Sequence, residues 1–79
     1  MSTPWPSLKA QQMLRVLRSL GYVIVDQKGS HRRLECDGRP DLTFAYHDKV
    51  SIPGGMVRVI LVRQVGLSMA EGLEAIRNA

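Results

Sequence analysis

Apolar residues fall into two rhythms along this chain, and the change from one to the other divides it into elements. Met13, Leu14, Leu17 and Leu20 recur at helical spacing, flanked by Ala10 and Val16. Lys9, Gln12, Arg15, Arg18 and Ser19 fall largely on the other side. Ser7 is placed to cap this helix, its hydroxyl accepting an orphan backbone N–H, and Gly21 to end it. Upstream, Pro4 and Pro6 restrict their predecessors to non-helical backbone, which makes residues 1–6 an extended arm from which Trp5 can pack back on the helix.

The rhythm then shortens to two. Tyr22 to Gln27 is β-branched and aromatic and reads as a first strand, Lys28-Gly29-Ser30 as a turn, and His31 to Cys36 as a second strand. Asp37-Gly38-Arg39-Pro40 is a second turn and Asp41 to His47 a third strand. Leu34 and Cys36, with Leu42, Phe44 and Tyr46, put even-numbered positions on a core face. His31, Arg33, Glu35, Thr43, Ala45 and His47 lie on the opposite face. A three-residue loop at Gly38-Arg39-Pro40 pairs Cys36 with Leu42 and Leu34 with Phe44, and it sets His31 opposite His47.

After a loop over 48–55, a second helix follows Pro53-Gly54-Gly55. Val57, Ile60, Leu61 and Gln64 form one side of it, Arg58 and Arg63 point out, and Gly66 closes it. Ser68-Met69-Ala70-Glu71 is a capping-box pattern opening a short last helix with Leu73 and Ile76. The order is α-β-β-β-α plus a terminal helix. This predicts an α+β fold in which a three-stranded antiparallel sheet carries helices on one face and leaves the other open.

Seventy-nine residues make a single domain spanning 1–79. A chain of this size buries only about 60% of its unfolded surface, so function is expected on a surface rather than in a deep cavity. Eleven Lys+Arg against seven Asp+Glu give a net charge of +4, which suits a polyanion or an acidic protein. Cys36 is the one cysteine, so no internal disulfide or cysteine metal site can form, and a reducing cytoplasm fits. No apolar run approaches the roughly 18 residues of a membrane span, and Met1 to Ser7 resemble no signal peptide.

Charge and strand pattern converge on Lys28-Gly29-Ser30-His31-Arg32-Arg33. Imidazole gives and takes a proton near neutral pH, and Lys and Arg hold phosphodiesters. An RNA phosphodiester breaks without a metal if one group takes the 2′-OH proton and another protonates the leaving oxygen, while cations stabilise the crowded phosphate. His31 is therefore the candidate catalyst, with Lys28, Gly29, Ser30, Arg32, Arg33 and His47 as candidate RNA contacts. The plain alternative is a basic hairpin turn whose histidine opens a strand. Phe44, Tyr46, Trp5 and Tyr22 read as packing residues, Cys36 as a small hydrophobe and Glu35 as a solvated carboxylate. Two histidines and scattered carboxylates give no metal-ligand spacing, so no metal or other cofactor is expected.

Nearly the whole chain resembles the HicA family of toxins. The resemblance is carried by Leu20-Gly21-Tyr22, by Gln27-Lys28-Gly29-Ser30-His31, by His47, by Ile52-Pro53-Gly54-Gly55-Met56-Val57-Arg58-Val59-Ile60-Leu61 and by Gln64-Val65-Gly66-Leu67-Ser68. It implies a double-stranded-RNA-binding-domain-like fold and an mRNA interferase whose catalytic histidine is His31. It also implies a HicB-type antitoxin that covers the active surface, and arrest of translation by transcript degradation in the cytoplasm. Two features depart from the family pattern: the cation Arg32 after His31, and Ala45-Tyr46-His47 where a proline is expected. The helix beyond Ser68 is a further candidate for the antitoxin interface. Outside enzymology, the same fold would serve as a non-catalytic module that reads duplex RNA by shape.

Overall fold

The computed structural model describes residues 4–79, so Met1 to Thr3 of the expected N-terminal arm lie outside the described residues. The apolar stripe of the opening segment forms α1 over Ala10–Ser19, burying Ala10, Met13, Leu14, Val16 and Leu17. Its start differs from the expected one. Lys9, not Ser7, stands at the N-cap, and Leu8–Lys9 form a short strand β1 that pairs antiparallel with β5, Ser51–Ile52. The helix's first N–H groups find backbone carbonyls across this junction: Ala10 donates to Val50 at 2.8 Å and Gln11 to Asp48 at 3.2 Å. These acceptors satisfy donors that would otherwise need a side-chain cap. Gly21, at φ 106°, ends the helix as predicted.

The three-stranded sheet runs β2 (Val23–Lys28), β3 (His31–Cys36) and β4 (Arg39–Phe44), all antiparallel, with β3 in the centre. Leu34, Leu42 and Phe44 are buried beneath the helices, whereas His31, Arg33 and Thr43 are exposed on the other face, so the predicted alternation holds. The register does not. Leu34 pairs with Leu42 and Arg32 with Phe44, a shift of two positions from the expected hairpin. Gly38 takes φ 78° inside a two-residue Asp37–Gly38 loop, so Arg39 is already in β4 opposite Cys36, and a bulge between Leu34 and Cys36 completes the shift. Pro40 is tolerated because β4 is an edge strand.

Beyond β5, α2 (Gly54–Arg58) continues directly into π-helical turns over Val59–Gln64. The Val65 amide donates to the Ile60 carbonyl, five residues back, at 2.9 Å. That winding turns Val65 into the core with Val57, Ile60 and Leu61 and leaves Gln64 exposed, where a regular helical period predicts Gln64 inward. The last helix, α3 (Met69–Asn78), opens with the predicted capping box. Ser68 N–H donates to Glu71 Oε1 at 2.9 Å and Glu71 N–H to Ser68 Oγ at 3.1 Å, and hydrogen bonding from the Ser68 backbone, then its hydroxyl, holds the Glu71 carboxyl below its usual pKa.

A single cluster of buried side chains joins these elements. Trp5 is 3% exposed, in the same buried cluster as the apolar side of α1, and its ring lies against α3: a Cβ added at Gly72 would lie 2.7 Å from the ring and 3.5 Å from the Leu61 Cβ. Tyr22 is buried too, its hydroxyl donating to the Pro40 carbonyl at 2.7 Å, and burial raises its pKa. Trp5 and Tyr22 are thus packing residues, as the sequence suggests.

Candidate functional site

The site is built on the tight connection between β2 and β3. Lys28 and His31 are the last paired residues, and Gly29–Ser30 forms a two-residue loop between them. Gly29 takes φ 59° in the first loop position, the pattern of a type II′ turn, whose twist suits an antiparallel pair. The Gln27 side-chain amide donates to the Gly29 carbonyl at 3.1 Å and braces the loop from within the hairpin.

Residues directly opposite across a ladder share a face, so Lys28 and His31 stand side by side on the open face. The next row on that face joins Asp26, Arg33 and Thr43. Arg33 Nη2 lies 3.1 Å from Glu35 Oε2 in a pair whose side chains are 60% and 42% exposed. Such a pair contributes roughly 0–1 kcal/mol and yields readily to a competing anion. Among the described residues the exposed His31 ring makes no hydrogen bond or ion pair, and Glu35 engages Arg33 rather than His31. An imidazole left open to solvent between a lysine and an arginine can meet a phosphodiester laid along the sheet, exchange a proton with it, and do so beside cations that stabilise added negative charge.

Arg32 belongs to the other face. It stands in a row with Gln27 and Phe44, its side chain is 12% exposed, and its Nη2 lies 2.8 Å from Asp48 Oδ1. The ion pair ties the centre of the sheet to the loop after β4, which is itself fastened to the start of α1 through Asp48 and Val50 carbonyls and through Lys9 Nζ donating to the Lys49 carbonyl at 3.4 Å. The expected facing of His31 and His47 does not form. With the two-residue shift in register, position 45 would lie opposite His31, and β4 ends at Phe44. His47 instead lines a groove of about 330 Å³ with Gly29, Ser30, Arg32, Asp48 and Lys49, on the flank of the turn.

The structure therefore gathers Lys28, His31 and Arg33 on the open face and Gly29, Ser30 and His47 around the turn, and it separates Arg32 from His31. Sequence reasoning misses Asp48, Lys49 and Gln27. Gln27 carries a signal in its place at a strand end before a glycine turn. The Arg32–Asp48 pair joins residues 16 positions apart and leaves none. Among the described residues no group of three or more His, Cys, Asp or Glu is placed to hold a metal ion, and no helix is long and apolar enough to cross a membrane.

A family model described as "HicA toxin of bacterial toxin-antitoxin" matches residues 10–67. That segment runs from the first residue of α1 to three residues past the π-helical turns and contains every residue of the site. No curated protein and no solved structure matches the chain.

Proposed function

The chain belongs to the HicA toxin family, and from that membership we propose that it is an endoribonuclease, an mRNA interferase, that uses His31 for proton transfer. The observation that carries the reading is the exposed His31 ring, with no partner among the described residues, beside Lys28 and one row from Arg33 on the uncovered face of the sheet.

In this reading the substrate backbone lies along the open face with a phosphate between Lys28 and Arg33. The ribose 2′-oxygen attacks phosphorus and loses its proton, the P–O5′ bond breaks, and the 5′-oxygen leaves with a proton. One fragment ends in a 2′,3′-cyclic phosphate, which hydrolyses to a 3′-phosphate, and the other begins with a 5′-OH. His31 handles one of the two proton transfers, and the cations offset charge on the crowded phosphate. His47, with Gly29 and Ser30, contacts the strand where it passes the turn. Arg32, engaged by Asp48, supports the loop that carries His47 and adds positive field beneath it. No metal or other cofactor takes part. A HicB-type antitoxin covers the open face and silences the enzyme, and both act in the cytoplasm on mRNA.

The test is cleavage of a long single-stranded RNA in EDTA by wild type and His31→Ala, with circular dichroism on both. Wild type is expected to cut and the folded variant to lose roughly 10²- to 10⁴-fold in rate, the usual contribution of a positioned acid or base. Products ending in 3′-OH would sink the mechanism. The α-β-β-β-α order favours one other reading, a module that binds about 16 base pairs of duplex without cutting. That reading predicts no cleavage by wild type and duplex affinity nearly unchanged by His31→Ala.

A further inference from the structure

The groove flanking the Gly29–Ser30 turn does not end at Arg32. Arg32 and Asp48 also line a second cleft, of about 400 Å³, between α1 and the helix-side face of the β2–β3 hairpin. Gln11, Arg15 and Arg18 follow one another along α1 at spacings of four and three residues and form one wall. Gln27 and Arg32, directly paired across the strands, form the other.

Arg15 and Arg18 are exposed and, among the described residues, take part in no ion pair. Arg32 Nη2 is bound to Asp48, but its Nη1 is buried with no hydrogen-bond partner. Three guanidinium groups thus border one hollow against a single carboxylate that Arg32 already occupies. The core does not need these cations, because α1 buries Met13, Val16 and Leu17 instead, and Leu14 and Ile24 give the cleft an apolar lining beneath them. A bound anion would relieve the mutual repulsion of these cations. Guanidinium forks match phosphate oxygens two at a time, and the two glutamine amides add donors suited to phosphate or ribose oxygens. The volume lies in the range of roughly 300–1,000 Å³ typical of small-ligand sites, enough for a nucleotide unit.

We propose that this cleft is a phosphate-binding subsite for the RNA backbone, which leaves the open face at His31, rounds the Gly29–Ser30 turn past His47 and enters between Arg15, Arg18 and Arg32. The proposal rests on the RNA-cleaving reading for its ligand. Continuity favours RNA over an acidic protein: the hairpin that carries His31 on one face carries Arg32 on the other, and the turn groove shares two residues with the cleft.

The experiment is fluorescence anisotropy with a labelled single-stranded RNA analogue carrying 2′-O-methyl groups, which cannot be cleaved by 2′-oxygen attack, titrated over a range of salt. Wild type is compared with Arg15→Ala/Arg18→Ala and with a charge-matched control, Arg63→Ala/Arg77→Ala, remote from the cleft. Folding of each is checked by circular dichroism, with Arg15→Gln/Arg18→Gln as the substitute if the alanine pair is unstable. Loss of two phosphate contacts should weaken binding at least about tenfold at low salt and flatten the slope of log affinity against log salt by about 1.4, at about 0.7 per contact on a single strand. The control should keep the wild-type slope. A wild-type slope in the cleft variant, or an equal loss in the control, overturns the proposal and leaves the cleft to an acidic protein partner. The readout is independent of chemistry. If wild type binds the analogue through the cleft yet cuts no RNA, the subsite stands and the catalytic reading falls. If it cuts RNA with the cleft variant's slope unchanged, the reverse holds.

Discussion

The two turns of the sheet are built alike and used differently. Each is a two-residue loop with one glycine at positive φ, Gly29 at 59° and Gly38 at 78°. Around Asp37–Gly38 the chain is fastened down: the buried Tyr22 reaches across to the Pro40 carbonyl, and Cys36 Sγ lies 3.6 Å from the Leu20 carbonyl at the end of α1. Around Gly29–Ser30, His31 and Lys28 stand on the open face and make no ion pair among the described residues. One strand, β3, joins the two. A small domain with a thin core can leave a histidine exposed at one end of that strand because the other end is locked by an aromatic anchor. On the proposed reading, stability and chemistry are placed at opposite ends of six residues.

Four substitutions or conditions test this division, from the largest expected effect to the smallest. On the proposed reading His31→Ala removes the proton transfer and little else, so cleavage should fall roughly 10²- to 10⁴-fold while stability stays within about 0.5 kcal/mol, as at other exposed positions. A comparable loss of melting temperature would show that the catalytic turn is also structural. Tyr22→Ala should do the opposite. Emptying an aromatic site in the core costs about 3–5 kcal/mol, read by urea denaturation, with the activity per folded molecule preserved. Next is pH. Burial raises the Tyr22 pKa, so its stabilisation is complete below the unfolded value of about 10 and is lost as pH rises from there through the folded value. Melting temperatures of wild type and Tyr22→Phe between about pH 9 and about pH 11 should therefore converge as the wild type loses its advantage. The smallest change is Asp48→Ala, at about 1 kcal/mol, since the pair joins a mostly buried Arg32 to a half-exposed partner. Its signature should be faster amide exchange over 47–50, with the Tyr22 anchor undisturbed.

Where the signal was local, it was legible. The stripe of α1, the Gly29 turn, the capping box at Ser68 and the alternation that turns His31 outward all follow from neighbours within a few residues. Pairings between distant segments were not. The β1–β5 ladder joins Leu8 to Ile52 and Lys9 to Ser51, distant in sequence and paired only twice, and it displaced Ser7 from its expected capping role. The hairpin register turned on whether Gly38 sits inside a two- or a three-residue loop, and that choice moved His47 from the face of His31 to the flank of the turn. The π-helical turns replaced Gln64 by Val65 in the core because packing against α3 and the sheet, rather than local periodicity, sets the winding.

Trp5 and Gly72 both lie outside the segment 10–67 that carries the family pattern, one before it and one after it, and they pack on each other. Trp5 is also the only tryptophan in the chain. Its emission is therefore an intrinsic optical reporter of whether the two ends remain joined over the core. A shift toward the solvent-exposed spectrum before the far-ultraviolet circular dichroism changes would mean that the ends part first, as a unit separate from the sheet that carries His31. The same signal, recorded while RNA or a protein partner is added, would tell whether occupation of the open face is felt on the far side of the molecule.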